Sequence, residues 1–408
     1  MERLSAPQVK NGVVPRTFGI ASLVLLMIVG LACGRQTVQK TTHRLCSRYQ
    51  STPVDGGAYY VENNHWIGTT CVETDGGNDF TVSTASISSA NGPGAFHEIW
   101  SGCHWGSCTS DDGRSGRLPI RVSDLGDTTS SWTTTLPMSG TYDAAYDLWF
   151  NTTSRTTGQP NGGEVMIWLG ERGVSDRSST VWPVDGADWY VARGTQRANG
   201  ATWPLAVYQR VTPTTSVSEL DLRYFVRDAV IHGIVSLSSY LISVEAGYEI
   251  WQAAGAPGLT TSSFSVSPAN GTPTGRITSA LSASKCVDDR QGDTGAGNRV
   301  RIHDCDGTGA QNWAVSMNGR IQITIHGTTM CMGLSDGETS KGTEVVLENC
   351  DGSATEIWEP GAMGALWNEA SGLCLADPQS SAANGTPLII WTCDAGSEQD
   401  WRLPAIVR

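Results

Sequence analysis

The stretch GGEVMIWLG, residues 162–170, is an apolar run with a single carboxylate near its head. Successive side chains of a strand leave opposite faces of a sheet. Val165, Ile167 and Leu169 therefore make an aliphatic row suited to a core, while Glu164, Met166 and Trp168 share the other face. A carboxylate, a thioether and an indole side by side make a poor solvent surface and a reasonable groove floor for pyranose rings. YDLWFN, residues 146–151, repeats the arrangement, with Tyr146, Leu148 and Phe150 on one face and Asp147, Trp149 and Asn151 on the other. ISVEAGYEIWQ, residues 242–252, sets Ile242, Val244, Ala246, Tyr248 and Ile250 inward and leaves Ser243, Glu245, Gly247, Glu249 and Trp251 outward. A single acid on a one-sided sheet is ordinarily a solvated residue. Three strands that each pair carboxylate with tryptophan point to one shared cleft.

One helix stands out among these strands. ELDLRYFVRDAVIHG, residues 219–233, carries Leu220, Leu222, Phe225, Val226, Ala229 and Val230 along one stripe, with Ser218 as the cap and Gly233 closing it. One helix on many strands predicts an all-β sandwich with the helix packed on its outside. The chain has 408 residues, enough for two domains with separate cores. Lys and Arg total 27 against 40 Asp and Glu, and the net charge of -13 argues against nucleic acid or anionic membranes as partners. Arg3, Lys10 and Arg16 precede the apolar run from Phe18 to Cys33, which reads as a cleaved secretory signal over residues 1–38 and places the protein outside the cell. Leu31-Ala32-Cys33 is a weak lipobox because Gly30 stands where leucine is usual, so simple cleavage is the expectation.

Apart from Cys33, ten cysteines remain, an even number that predicts five disulfides in an exported chain. Cys286 and Cys305, Cys331 and Cys350, and Cys374 and Cys393 are each 19 residues apart, and their starts step by 45 and 43. Gln311-Asn312-Trp313, Glu356-Ile357-Trp358 and Gln399-Asp400-Trp401 keep the same steps. A threefold repeat of this length buries a core that no single copy could bury. CVDD…GNRVRIHDCDGTGAQNW, residues 286–313, resembles the ricin B-type lectin repeat of carbohydrate-binding module family 13, a β-trefoil, over residues 276–408. The resemblance implies sugar contacts from Asp288, His303 and Gln311, with Asn298 nearby, and from Trp391 and Gln399 in the third repeat. There Ala376 takes the usual acidic position and Asp377 comes one residue late. The middle repeat has Gly333, Glu348 and Glu356 at the three places and is expected not to bind. SVSPANGTPTG, residues 265–275, reads as a short semi-extended linker, with the boundary near 268 and the linker proper at 266–275.

VENNHW, GCHWGSC, YDLWFN, GEVMIWL, RVTPTTSVSELDLRYFVRDAV and VEAGYEIWQ occur in the order seen in glycoside hydrolase family 12, whose members are β-jelly-roll endoglucanases. The resemblance covers residues 39–265. It implies Glu164 as nucleophile and Glu249 as acid/base of a retaining double displacement, with Asp147 on the nucleophile and Met166 in the cleft. It further implies substrate contacts from Asn64, Trp66 and Tyr49, and disulfides Cys46–Cys71 and Cys103–Cys108. Trp251, outward on the Glu249 strand, joins the expected substrate contacts. Ile67 separates Trp66 from Gly68 and Ala253-Ala254 replaces a glycine pair, so subsite preference is where this chain departs from the family. Glu245 is the rival acid, but four residues from Glu249 is about 13 Å along a strand, too far for both to serve one bond.

Other chemistries fare badly. Cys103, His104 and Cys108 in an exported chain read as a disulfide rather than metal ligands. The histidines include no HExxH pair, the GLSDG around Ser335 lies inside a trefoil repeat, and no phosphate-binding glycine loop occurs. No metal or cofactor is expected. The sequence predicts a secreted, monomeric endo-β-1,4-glucanase acting on plant cell-wall polysaccharide and held to it by the trefoil. Xyloglucan or mixed-linkage β-glucan specificity is the near alternative, and a non-catalytic lectin-like protein is the alternative of another class.

Overall fold

The computed structural model describes residues 42–110, 118–174, 178, 180–198 and 200–404. The expected leader, residues 1–38, lies outside them. The first module is a sandwich of two layers. One layer runs, strand by strand, through Gln50–Val54, Tyr59–Asn63, Ala95–His104, Tyr240–Gly255, Thr141–Asn151, Gly163–Arg172, Ala201–Arg210, Ala187–Ala198 and Val181–Val184. Among the described residues only the Gly163–Arg172 and Ala201–Arg210 pair is parallel. The other layer joins His43–Leu45, Thr69–Thr74, Phe80–Ser88, Thr260–Ser267, Thr129–Thr134 and Ser216–Asp221.

The aliphatic rows meet between the layers as the alternation predicts. Val165, Ile167 and Leu169 are fully buried in one core with Tyr146, Leu148, Phe150, Val244, Ala246, Tyr248 and Ile250. Burial of such side chains contributes about 1.5–3 kcal/mol each, which makes the register of these strands hard to shift. Ile242 is the exception. A register irregularity between Trp149 and Phe150, which pair with Ser243 and Leu241, turns Leu241 into the core and Ile242 to the opposite side, against Trp149 and Trp203. A bulge adds a residue and reverses the facing of the side chains beyond it, so strict alternation misplaces this one.

The helix spans Leu222–Ile231, shorter than the apolar stripe suggests. Leu220 belongs to the preceding strand, and Asp221 rather than Ser218 is the cap, accepting from the Arg223 amide. Gly233 closes it in the left-handed region, its amide donating to the Val230 carbonyl. The buried side of the helix includes Arg227 and Asp228 as well as Leu222, Phe225, Val226 and Ala229.

Residues 276–404 form a second body with its own core, in which Trp313, Trp358 and Trp401 pack with Ile277, Val287, Ile302, Met332, Leu347, Leu375 and Ile390. Its threefold character is visible in single bonds. The indole N–H of Trp313, Trp358 and Trp401 donates 2.9 Å to the carbonyl of Val287, Met332 and Leu375, each 26 residues earlier. Five disulfides join the pairs expected from spacing and resemblance.

The connection between the modules is tied down along its length. Residues up to Ser267 complete a strand, and Gly126 and Gly271 donate amides to the carbonyls of Ala269 and Asp124. The modules are also in contact. The Arg227 guanidinium donates 2.6 Å to the Trp358 carbonyl, Met317 packs into the sandwich core, and Gly319 lies so close to Ile231 that a Cβ would come within 3.0 Å of it. A Pro, Gly and Ser-rich composition describes the freedom of the isolated segment; backbone partners supplied by distant residues remove that freedom here.

Candidate active site

The faces opposite the aliphatic rows line a cleft of about 870 Å³. Glu164 and Glu249 both line it, together with Asp147, Trp149, Trp203, Glu245, Asn64, Trp66 and Tyr49. The acids sit on different strands. Glu164 heads the Gly163–Arg172 strand, entered through Gly163, whose φ of 118° and close approach to the Ile234 carbonyl leave no room for a side chain. Glu249 lies on the Tyr240–Gly255 strand, where Gly247 is pressed against its neighbour: a Cβ there would stand 2.1 Å from the His97 carbonyl oxygen.

The face read as a groove floor is almost closed to solvent. Glu164, Met166 and Trp168 are 5%, 6% and 7% exposed, so the carboxylate is desolvated rather than hydrated. Burial pushes Glu164 up to about 8, against the opposing hydrogen bond from the Trp203 indole. Burial likewise pushes Glu249 up to about 7, which a neighbouring Asp143 partly offsets. With both raised, the values alone do not assign roles. Each glutamate has an aspartate behind it: Asp147, held well above the usual range by burial and by Glu164, and Asp143, held up by burial and by Glu249. Asp147 Oδ1 and Asp143 Oδ2 have no close hydrogen-bond partner, yet each aspartate lies near enough to its glutamate to act as a donor that lowers it. The Glu249 amide donates 3.2 Å to Asp143 Oδ1, which fixes that aspartate beside the strand.

An aromatic wall runs along the cleft. Trp105, Trp149 and Trp203 contact in sequence, with ring centroids 5.5 Å apart at each step. Trp66 is 38% exposed and anchored by its indole N–H to the Pro93 carbonyl, and Tyr49 is 53% exposed with the Arg48 guanidinium 4.7 Å from its ring. Asn64 donates to Glu98 at 3.3 Å. The extra Ile67 is absorbed by a turn in which the amides of Trp66 and Ile67 share the Gly94 carbonyl.

Two expected contacts fall elsewhere. Met166 packs with Ala145 and Trp168, and Trp251 is not among the cleft-lining side chains. Trp203, Asp143, Glu62, Glu98 and His104 are cleft or cleft-side residues that the sequence alone does not mark. Asp143 has a signal, since continuing the alternation of the 146–151 run backwards puts it on the face of Asp147. Trp203 has none, because only the parallel pairing of its strand brings it over Glu164.

In the second module, Asp288 is buried and accepts from Arg301 and Gln311, with His303 and Asp306 converging on it. Gln311 and Gln399 are buried behind the surface and spend their amide groups on loop backbone at Asp306 and Asp304, and at Asp394 and Thr392. Asn298 is likewise engaged with Asp289, Arg290 and Asp293. These three brace the sites rather than offering free groups. Trp391 is 44% exposed with Lys341 5.9 Å from its ring centroid. In the middle repeat the Glu348 carboxylate occupies the space over Gly333, and Glu356 pairs with Arg320.

Residues 57–268, half of the chain, match the model of glycosyl hydrolase family 12. The chain belongs to glycosyl hydrolase family 12. Residues 273–403 match the ricin-type β-trefoil lectin domain. Endoglucanase S of Pectobacterium parmentieri is 34% identical over 170 residues, which are 40% of this chain and 62% of that protein's length. The probable cellulase Cel12b of Mycobacterium tuberculosis is 30% identical over 137 residues, 33% of this chain and 87% of that protein. Among solved structures, a metagenome-derived family 12 endoglucanase is 37% identical with a TM-score of 0.52, covering 57% of this chain and 99% of the other. Endoglucanase cel12A from Rhodothermus marinus is 38% identical with a TM-score of 0.51, covering 56% and 99%. This family 12 chain thus carries its catalytic module in the first two thirds and a lectin-type module after it.

Proposed function

We propose that the protein is a secreted endo-β-1,4-glucanase acting by a retaining double displacement, with Glu164 as nucleophile and Glu249 as acid/base. The observation that carries this reading is the pairing of two desolvated glutamates in one tryptophan-lined cleft, each backed by a buried aspartate. The Trp203 indole can only donate, and Asp147 keeps its proton; both favour negative charge on Glu164. Burial pushes Glu249 up, which lets it hold a proton for the leaving oxygen. The ionised form of Glu164 rests on its donors Trp203 and Asp147 and not on the order of the two values, since Glu164 is the higher. In the first step a Glu164 oxygen bonds the anomeric carbon as the glycosidic C–O bond breaks, and the Glu249 proton passes to the departing hydroxyl. In the second, Glu249 takes a proton from water, whose oxygen replaces Glu164 at the same carbon and restores both groups.

The aromatic wall supplies flat faces for successive pyranose rings, and the open cleft suits attack within a chain. The trefoil would raise local substrate concentration through Asp288, His303 and Trp391 without touching the chemical step. Release of reducing ends from carboxymethylcellulose by wild type and Glu164→Gln tests the reading. The variant should lose activity by orders of magnitude while still folding. Equal rates would return the protein to the class of sugar-binding proteins without catalysis.

A further inference from the structure

We propose that Glu62, Glu98 and Nε2 of His104 form a binding site for one divalent cation of the manganese-to-zinc series, with Glu245 as the outer carboxylate that holds the imidazole. One carboxylate oxygen from each glutamate and a ring nitrogen of His104 all lie within 4.8 Å of one another. All three side chains are buried, at 6%, 0% and 9% exposure. His104 Nδ1 stands 2.9 Å from Glu245 Oε1, and Nε2 is turned toward Glu98 at 3.7 Å. Glu245 raises the ring's hold on its protons, so a cation that binds Nε2 displaces the proton there and leaves Nδ1–H donated to Glu245. A histidine ligand oriented by a carboxylate on its far nitrogen is the common outer-shell arrangement of protein metal sites.

Glu245 gives the second indication. It is fully buried, its Oε1 is shared by His104 and the Ser243 hydroxyl, and its Oε2 has no partner. It stands close enough to Glu62 and Glu98 for its charge to push both of them up, after burial. Glu62 makes no hydrogen bond, and no Lys or Arg pairs with any of the three glutamates, among the described residues. Three carboxylates in a desolvated pocket thus share one imidazole, which Glu245 and Glu62 push up against burial, and a divalent cation at Nε2 would take the place of its proton with twice the charge.

In each of the two other clusters of acid and histidine among the described residues, one acid already has a guanidinium. Asp228 beside His232 and Glu359 has the Arg193 guanidinium on both oxygens, and Asp288 beside His303 and Asp306 has Arg301. Two carboxylates with one imidazole suit manganese or zinc better than calcium or a thiolate-seeking metal. Ligand bonds of about 2.0–2.2 Å require the donors to draw together by roughly an ångström, within the reach of two glutamate side chains. Glu62, His104 and Glu245 also line the cleft, which supplies an entry path and an open coordination position. Because Asn64 donates to Glu98, a bound cation would fix the orientation of a cleft residue expected to contact sugar.

The test uses the full chain, stripped with chelator and desalted, titrated calorimetrically with Mn²⁺ and with Zn²⁺ in two buffers of different ionisation enthalpy. One cation per chain should bind at micromolar concentration with release of a proton, since His104 and the glutamates must be deprotonated to bind. Thermal unfolding should move up with the cation. The Glu62→Gln/Glu98→Gln double variant should weaken binding at least tenfold, while Asp306→Asn in the trefoil leaves it unchanged. Paramagnetic broadening of the His104 imidazole resonances by Mn²⁺ reads the same site in wild type, should the double variant not fold. Absence of saturable binding, affinity unaffected by the double variant, or an unbroadened His104 would each overturn the site. Glu164→Gln should bind the cation like wild type even with hydrolysis abolished, so failure of the catalytic reading and failure of this one are distinguishable.

Discussion

Asp143 sets the proton affinity of its neighbour, and Asp143→Asn should move the basic limb of the pH profile upward. Burial raises Glu249 to about 7, and the nearby Asp143 is what holds it from going higher. Asp143 is fully buried and kept protonated by that burial and by the charge of Glu249, so it acts as a donor to the Glu249 carboxylate. A hydrogen bond to a charged group contributes about 1.5–3 kcal/mol. The absence of a close partner for Asp143 Oδ2 puts this contact at the low end. An amide is a weaker donor than a carboxylic acid, so the exchange forfeits roughly 1 kcal/mol of stabilisation of the ionised form, or about 0.7 of a pH unit. In the proposed mechanism the acid of the first step then survives to higher pH. The assay is kcat/KM for reducing-end release from a soluble glucan, between about pH 4 and pH 10, for wild type and Asp143→Asn. A basic limb that stays in place or moves downward would refute the reasoning, and so would loss of activity at every pH with the limb unmoved.

Gly247→Ala should fail to fold or lose several kcal/mol, because its Cβ would meet the His97 carbonyl oxygen at 2.1 Å between two central strands; expression level and urea unfolding check this. Glu359, buried at the contact between the modules, is pushed up to about 8 by burial and then by Asp228. Its folded form therefore keeps a proton that the unfolded chain releases near pH 4.5. Stability from this group is full below that pH and is lost as pH rises toward 8, so Tm should fall over that interval and fall less in Glu359→Gln. Arg227→Ala removes the guanidinium that reaches the Trp358 carbonyl and should cost about 1–3 kcal/mol, read as a lower Tm with reducing-end release retained at low temperature. Trp391→Ala should weaken retention on insoluble polysaccharide while leaving the rate on soluble glucan unchanged; equal retention would remove the third repeat from the binding role.

Local period and repetition are properties of a linear chain, and the core rows and disulfide pairs they predict are present in the structure. The aliphatic rows at Val165, Leu148 and Val244 face one core because alternation is forced by strand geometry. The equal cysteine spacing marks the trefoil pairs, because each repeat closes the same short loop. Glu164 and Glu249 are legible from their faces and their family motifs. Where the chain departs from strict period, as at the bulge that turns Ile242, the departure depends on the partner strand and is not legible.

Tertiary structure alone decided the features that depend on distant partners. Trp203 reaches Glu164 only through a parallel pairing, and Asp221 rather than Ser218 caps the helix because the preceding strand runs on through Leu220. Residues 265–271 look free in composition, but backbone partners from Gly126 and Asp124 hold them. Glu62, Glu98 and His104 share no sequence spacing that metal chemistry would recognise, since Glu62 comes beside Glu98 only when their strands pair and His104 lies six residues further along the Glu98 strand. The physical reason is common to all of these: side-chain direction is fixed locally by the backbone, whereas desolvation and charge balance are fixed by whichever segments the folded sheet brings alongside.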